Sequence, residues 1–177
     1  RAVEFIKRNR AQPFFLYLAF NAVHVPLQAT EKYLARAQHI SDPKRRTYAA
    51  MLMAMDDGIG KTLAALRSEG LDENTLVFFF SDNGGPIGIG ARGQEVWNGS
   101  SNAPLRGSKG TTWEGGIRVP FIVRWKGRIA AGRTESHSII QLDVMPTALA
   151  AAGIPIPAAW KLDGGSLLPL LTGNSSC

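Results

Sequence analysis

The sequence predicts an α/β fold with a mainly parallel sheet flanked by helices, and two observations carry that prediction. Apolar runs of strand length at 13–20, 75–80 and 119–125 alternate along the chain with segments of helical periodicity. The runs are continuous in their apolar character, which is typical of strands buried on both faces under helices. Strands that alternate with helices in this order indicate a parallel sheet.

The first forty residues predict two short helices around the first strand. Residues 2–10 are typical of the end of a helix, with apolar side chains against a basic face. The aromatic and aliphatic run at 13–20 follows as a strand, and a loop through His24 comes next. Residues 30–38 predict a short helix with Thr30 as its N-cap.

A long helix and two further strands follow. Apolar residues recur at three- and four-residue spacing from about 43 to 69, which predicts a helix, and Gly70 provides its C-terminal stop. The strand at 75–80 leads into a loop over 81–117 that is dense in glycine, asparagine and serine. A loop of that length inside a domain is usually functional or disordered. The strand at 119–125 closes this part of the pattern.

The last fifty residues predict one helix and a short final element. Residues 139–152 read as a helix, although Pro146 falls inside its first turns. Gly153 ends it, and two prolines keep the following stretch extended. Residues 166–171 predict a last short helix or turn.

Composition and charge narrow the function classes. Hydrophobic residues make up 45% of the 177 residues and charged residues 19%, which is globular composition. The net charge is +6, but the basic residues are scattered and not interleaved with aromatic residues, so we expect no nucleic-acid partner. No segment approaches the roughly 20 apolar residues that a membrane span requires.

Cysteine and glycosylation patterns say little about the compartment. Cys177 is the only cysteine, so no intrachain disulfide can form. Asn98-Gly99-Ser100 and Asn174-Ser175-Ser176 fit the glycosylation acceptor pattern, which often arises by chance.

Polar residues that could carry chemistry follow the predicted strands, where open α/β sheets bind ligands. Asp82 and Asn83 come directly after the strand at 75–80 and offer hard oxygen donors suited to calcium or magnesium. Gly84 and Gly85 permit the turn that would let both reach one ion. From these four residues alone, a plain turn without a metal is the favoured interpretation.

A lysine and a histidine are the candidates for binding an anion. Lys109 lies among small neighbours that would let a sulfate or phosphate oxygen approach its ammonium group. His24 follows the strand at 13–20 and could donate a proton to a leaving oxygen. Taken alone, each residue is better interpreted in an ordinary role, Lys109 as a solvated loop lysine and His24 as a histidine hydrogen-bonded to nearby backbone.

Other charged residues are weaker candidates. Arg106 and Arg118 could bind an anion or pair with Glu114, and His39 and His137 lie in polar stretches typical of a surface. The acidic pair at 56–57 falls within the long helix, where consecutive side chains diverge by about 100° and a solvated face is expected.

Two signatures occur close together within 78–120. They read Phe78-Phe79-Phe80-Ser81-Asp82-Asn83-Gly84-Gly85 and Leu105-Arg106-Gly107-Ser108-Lys109-Gly110-Thr111-Thr112-Trp113-Glu114-Gly115-Gly116-Ile117-Arg118-Val119-Pro120. With the histidine-bearing stretch at 13–28 and the tail at 141–171, in this order, they resemble the sulfatase family of the alkaline-phosphatase superfamily. The resemblance covers nearly the whole chain but only the later portion of that family's catalytic domain.

The resemblance implies an alkaline-phosphatase-like fold in which 1–177 form a single, partial catalytic domain. It implies calcium as the cofactor, with Asp82 and Asn83 as ligands. It implies Lys109 as the lysine that binds the sulfate group and His24 as the histidine near the leaving-group oxygen, both with catalytic roles. The reaction implied is hydrolysis of a small-molecule or carbohydrate sulfate ester to an alcohol and sulfate, with a formylglycine as the nucleophile.

The sequence departs from the family pattern at its front. It contains no Cys-x-Pro-x-Arg or Ser-x-Pro-x-Arg stretch, and Cys177 has no such motif after it. The start at Arg1 within what reads as a helix favours a partial chain with the nucleophile upstream, and we expect these 177 residues alone to be inactive. Two alternatives stay open: a phosphate or phosphonate ester hydrolase of the same superfamily, and a non-catalytic anion-binding module. The family resemblance also suggests an exported protein, while the oligomeric state is left open.

Overall fold

The computed structural model describes residues 1–88 and 93–173. The chain divides into two compact units. The first unit comprises Arg1–Glu69 and Asn83–Val119, and the second comprises Gly70–Asp82 and Pro120–Cys177. Residues 89–92 of the predicted 81–117 loop lie outside the described residues. The same holds for the acceptor pattern at 174–176 and for Cys177.

The first unit is helical. It holds helices α1, α2, α3 and α4, at Ala2–Arg8, Glu31–Arg36, Pro43–Ser68 and Glu114–Ile117. Both α1 and α2 pack against α3. Ile6, Ala37 and Ala50 are fully buried, so the core of this unit lies where the two short helices meet the long one.

The boundaries of α3 have local causes. Its N-cap is Asp42, whose Oδ1 accepts the backbone N–H of Arg45 at 2.6 Å, and Pro43 occupies the first helical position, where its missing N–H costs nothing. Gly70 adopts a φ of +70° just beyond the end, a conformation that favours glycine. The predicted long helix and its glycine stop are confirmed.

The short helix predicted over 30–38 is confirmed as α2. Thr30 does occupy the N-cap position with an extended backbone, but its side chain makes no capping hydrogen bond. Tyr33 of this helix instead bonds it to α3, because its hydroxyl donates to Asp57 at 2.9 Å.

The predicted strand at 13–20 does not form in the structure. The segment has no regular secondary structure, and Phe15 and Tyr17 are 75% and 74% exposed. An apolar run shows that a segment can be buried on both faces, but a strand exists only beside a partner, and none of the described residues pairs with this one. The prediction of a buried strand is therefore wrong for the described chain.

The second unit contains the sheet. Strands β1, at Val77–Phe80, and β2, at Phe121–Arg124, confirm the runs predicted at 75–80 and 119–125. They pair antiparallel, with Phe80 opposite Phe121 and their rings stacked at 5.4 Å between centroids. The mainly parallel sheet is thus not confirmed, because the one described pairing runs in the other direction, which apolar composition does not encode.

A partly buried ion pair lies at one end of this sheet. Asp72, in a 3₁₀ turn at Asp72–Asn74, is only 7% exposed. Both of its carboxylate oxygens accept from Nη2 of Arg124, the last residue of β2, at 2.8 Å. The pair ties the turn before β1 to the end of β2.

Helices α5, at Val144–Ala151, and α6, at Leu168–Thr172, complete the second unit. The helix predicted over 139–152 starts later than expected, after a 3₁₀ turn at Gln141–Asp143. Pro146 is accommodated because it lies in the first turn of α5, where backbone N–H groups have no helical partner. No helix within residues 1–88 and 93–173 is long and apolar enough to cross a membrane.

Candidate active site

The structure brings His24 and Lys109 together in the first unit. The Nζ atom of Lys109 lies 3.2 Å from Nε2 of His24, and both side chains are exposed. The other ring nitrogen of His24, Nδ1, lies 2.8 Å from the carbonyl oxygen of Val25. A carbonyl can only accept, so Nδ1 carries the hydrogen, and in the neutral ring Nε2 is left to accept from the lysine ammonium.

Backbone contacts fix the loop that carries His24. The N–H of His24 donates to the carbonyl of Asn21 at 2.8 Å, which closes a turn. The side chain of Asn98 donates to the carbonyl of Val23 at 3.3 Å. The imidazole therefore stands on a loop held from within and from the neighbouring 95–102 segment.

The two sequence signatures pack against each other backbone to backbone. The N–H of Gly84 donates to the carbonyl of Gly116 at 2.9 Å, which joins the two signatures, and within the second signature the N–H of Gly115 donates to the carbonyl of Arg106 at 2.7 Å. A Cβ added at Gly84 would lie 1.8 Å from the carbonyl oxygen of Gly115. Only glycine permits this approach, which explains why residue 84 is a glycine.

The loop that carries Lys109 is shaped by its neighbours. Gly107 and Gly110 on either side have φ values of +93° and +86°. Thr111 braces the loop, because its hydroxyl donates to the carbonyl of Ser108 and accepts the N–H of the same residue. The N–H of Lys109 donates to the carbonyl of Gly85 at 3.2 Å, so the lysine backbone is bonded to the turn of the other signature.

Asp82 and Asn83 follow β1 as predicted. In the second unit, Ser81 is fixed by its N–H to the carbonyl of Pro120 and by its own carbonyl, which accepts from Gln141. In the first unit, Nδ2 of Asn83 donates to the carbonyl of Gly84 at 3.0 Å, which orients the amide.

The donor set tests whether calcium fits these residues. A carboxylate and an amide carbonyl are ligands that calcium prefers, so the chemistry fits. Calcium needs about six to eight oxygens, and the described residues contain no group of three or more His, Cys, Asp or Glu side chains that could hold a metal. Asp82 and Asn83 would supply two of the oxygens that calcium needs.

The other charged residues that the sequence offered as weaker candidates contact other side chains. Arg106 stacks on the ring of Trp113 at 4.0 Å, and Arg118 pairs with Glu114 at 3.5 Å. Of the helical acidic pair, Asp57 accepts from Tyr33, whose hydrogen bond lowers the pKa of that carboxyl, with Arg36 and Lys32 adding to the effect. Asp56 is exposed as predicted, but Asp57 is half-buried against α2, so the prediction of a solvated face is wrong for Asp57.

Two asparagines that were not predicted from the sequence contribute to the site. Asn102 hydrogen-bonds to both signatures through one side chain, and Asn98 is 5% exposed and bonded to the His24 loop. Asn98 belongs to the predicted acceptor pattern, which therefore lies inside the fold. In sequence, both asparagines look like ordinary residues of a glycine- and serine-rich loop, so no local signal distinguishes them.

The chain is similar in sequence to a protein family and to several known proteins. A protein-family model described as Sulfatase matches residues 1–154. The steryl-sulfatase of Mus musculus is 40% identical over 175 residues, which are 98% of this chain and 27% of that protein. The N-acetylgalactosamine-6-sulfatase of Canis lupus familiaris is also 40% identical over 175 residues, 98% of this chain and 31% of that protein.

Solved structures are also similar to this chain. The structure of Ps i-CgsB in complex with k-i-k-neocarrahexaose superposes with a TM-score of 0.89 at 40% identity, covering 98% of this chain and 37% of that one. The PsFucS1 sulfatase from Pseudoalteromonas sp. gives a TM-score of 0.80 at 32% identity, covering 97% and 32%. The chain thus spans about three-tenths of the length of the curated relatives it matches.

Proposed function

Because this chain belongs to the sulfatase family, we propose that the full-length protein hydrolyses sulfate esters to an alcohol and inorganic sulfate. The observation that carries the proposal is the approach of Lys109 Nζ to His24 Nε2 at 3.2 Å. Two nitrogen groups that converge at an exposed point, from loops 85 residues apart, form a site that a tetrahedral anion can bridge.

Lys109 binds the sulfate group in this proposal. Its ammonium is a compact charge with three donors, one of which faces His24 in the structure and can turn to a sulfate oxygen. Negative charge grows on the transferring group and the leaving oxygen during hydrolysis. A fixed ammonium beside those oxygens stabilises that charge.

His24 supplies the proton for the alcohol. The bond from Nδ1 to Val25 keeps the ring oriented, so a proton taken up at Nε2 points toward Lys109 and the bound ester. The lysine ammonium and the Nε2 edge of the imidazole lie 3.2 Å apart, so one sulfate ester can contact both. A proton carried on Nε2 then lies beside the leaving oxygen and can pass to it.

We also propose that Asp82 and Asn83 contribute oxygen ligands to calcium and that other ligands come from parts of the protein outside this chain. The fit of the donors supports this, as does the bonding of their turn to the Lys109 loop through Gly85. Bound calcium would withdraw charge from the sulfate group. A formylglycine, also outside this chain, would supply the nucleophile, so the 177 residues alone should show no turnover.

The substrate is proposed to be a sulfate ester of a small-molecule alcohol or a carbohydrate. The support is that the relatives include a steryl-sulfatase and an N-acetylgalactosamine-6-sulfatase, and that Ps i-CgsB was solved with a neocarrahexaose. On family grounds we propose an exported protein, which fractionation of the producing cell would test.

The exposed segment at 13–20 fits a place in a larger, mainly parallel sheet. Phe15 and Tyr17 are large, exposed aromatic side chains, and the segment has no regular secondary structure. We propose that strands outside this chain pair with it, so that 1–177 form part of one catalytic domain. Hydrogen exchange at 13–20 in the full-length protein should then be slow, and fast exchange there would contradict the proposal.

The test of the proposed function is turnover by the full-length protein of two matched substrates, an aryl sulfate and the corresponding aryl phosphate. A sulfatase hydrolyses the sulfate ester faster and loses that activity when calcium is chelated. Preference for the phosphate ester would support a phosphate hydrolase instead. Absence of turnover on both, with inorganic sulfate still bound, would support a non-catalytic anion-binding module.

A further inference from the structure

We infer that Asn102 is a positioning residue that holds the Lys109 loop against the turn after Asp82 and Asn83. The inference rests on the proposed function, because the residues it positions are those proposed to bind sulfate and calcium. Asn102 is uncharged and half-buried, and its side-chain hydrogen bonds go to backbone groups.

The geometry of the Asn102 amide is that of a two-point clamp. Its Oδ1 accepts the N–H of Gly85 at 2.8 Å, and its Nδ2 donates to the carbonyl of the same residue at 2.8 Å. Nδ2 also donates to the carbonyl of Gly107 at 3.1 Å. One side chain therefore binds the backbone of both signatures and uses both of its amide hydrogens and its oxygen to do so.

Gly85 transmits this contact to the site. Its carbonyl accepts the N–H of Lys109 as well as Nδ2 of Asn102, so the two donors share one acceptor. A Cβ at Gly85 would lie 2.2 Å from Oγ of Ser100, which shows how closely the 100–102 segment covers it. If Asn102 is lost, the carbonyl of Gly85 can move, and the backbone of Lys109 moves with it.

The same segment supports the histidine. Two residues before Ser100, the Asn98 amide donates to Val23, next to His24, and accepts the N–H of Ser100 at 3.1 Å. Residues 98–102 thus contact the loops of His24, Gly85 and Lys109. A change at Asn102 should therefore alter how these loops are placed relative to one another and leave the groups on them intact.

The test compares Asn102→Asp with Asn9→Asp in the full-length protein. Asp has the shape of Asn, but it places a carboxylate oxygen opposite two carbonyls where the amide donated. Asn9 makes a matched contact far from the site, with Nδ2 donating to the carbonyl of Phe5 at 2.8 Å. We expect Asn102→Asp to weaken inhibition by inorganic sulfate about 10- to 100-fold, the usual effect of removing a partner that orients a ligand-binding group, and Asn9→Asp to leave it unchanged.

Two further measurements distinguish a positioning role of Asn102 from a purely structural one. Because Asn102 acts through Lys109, Asn102→Asp should add little to the effect of Lys109→Ala on sulfate inhibition. Independently of activity, amide exchange measured by mass spectrometry should quicken in peptides that cover 83–86 and 107–110 and not in those that cover 2–9. If Asn102→Asp does not fold, Asn102→Ser, which is smaller and uncharged, takes its place.

The outcomes distinguish this inference from the proposed function. If Lys109→Ala itself leaves sulfate inhibition unchanged, the proposed function fails. If Lys109→Ala weakens inhibition but Asn102→Asp only lowers the melting temperature, only the positioning role is overturned. Equal effects of Asn102→Asp with and without Lys109 would also overturn it.

Discussion

Lys109 donates toward Nε2 of His24 across 3.2 Å, although the two residues are 85 positions apart in the chain. The imidazole is held from its other side by the carbonyl of Val25. The lysine is held through its backbone by Gly85. The two groups therefore meet at one exposed point, and that arrangement leads to the predictions below.

Replacing His24 by Gln should slow the chemical step in proportion to how much the leaving group needs a proton. We expect kcat to fall about 100-fold or more for an alkyl sulfate, whose alkoxide is a poor leaving group, and much less for an activated aryl sulfate. Initial rates on both substrates measure the ratio. His39→Gln, at an exposed histidine of the same unit, is the control. An equal loss on both substrates would contradict the proton-donor role.

Glycine-to-alanine changes should separate the packed backbone from open helix. At Gly84 the new Cβ would meet the carbonyl oxygen of Gly115, so Gly84→Ala should destabilise the protein by about 2 kcal/mol or more. At Gly60 in α3 nothing lies within 4 Å, so Gly60→Ala should stabilise by up to about 1 kcal/mol. Denaturant unfolding of the two variants measures the difference. A Gly84→Ala variant as stable as the wild type would mean that the two signatures do not pack as described.

Removing the carboxylate of Asp82 should remove calcium and activity together. Asp82→Ala in the full-length protein leaves the proposed site one charged ligand short, and we expect calcium affinity to fall at least tenfold. Calorimetric titration with calcium measures it. Asp56→Ala, which removes an exposed carboxylate from α3, should change nothing. Calcium affinity that is the same in Asp82→Ala as in the wild type would rule out Asp82 as a ligand.

Glu135 should make the stability of the protein depend on pH in the acid range. Hydrogen bonds from His137 and Arg133 lower the pKa of Glu135 from 4.5 to about 2. A folded-state pKa below the unfolded one means that the stabilisation is fully present above about pH 5 and is lost as the pH falls toward 2. The melting-temperature difference between wild type and Glu135→Gln should therefore shrink over that range. A difference that does not vary with pH would contradict this.

Local sequence signals predicted the helices well. The spacing of apolar residues and Gly70 located α3 within one residue at its C-terminal end, because both causes lie inside the segment itself. The run at 13–20 shows the limit of such signals. Its composition is that of a buried strand, but pairing depends on a neighbour elsewhere, and the described residues provide none.

The candidate site was predictable only in part. His24, Asp82, Asn83 and Lys109 were selected from residue chemistry and from the resemblance to sulfatases. The contact between His24 and Lys109 depends on the packing of distant loops, which no spacing reveals. Asn102 was missed for a related reason: its importance comes from which backbone groups it meets, and an asparagine in a flexible-looking loop gives no sign of that.

The most direct measurement of the central claim is the inhibition constant of inorganic sulfate for the full-length protein and for two lysine variants. If Lys109 and His24 form the anion site, Lys109→Ala should raise that constant at least tenfold, consistent with the loss of a charge-assisted contact. Lys61→Ala, which removes an exposed lysine from α3, should leave it unchanged. The same inhibition constant in Lys109→Ala as in the wild type would contradict the account.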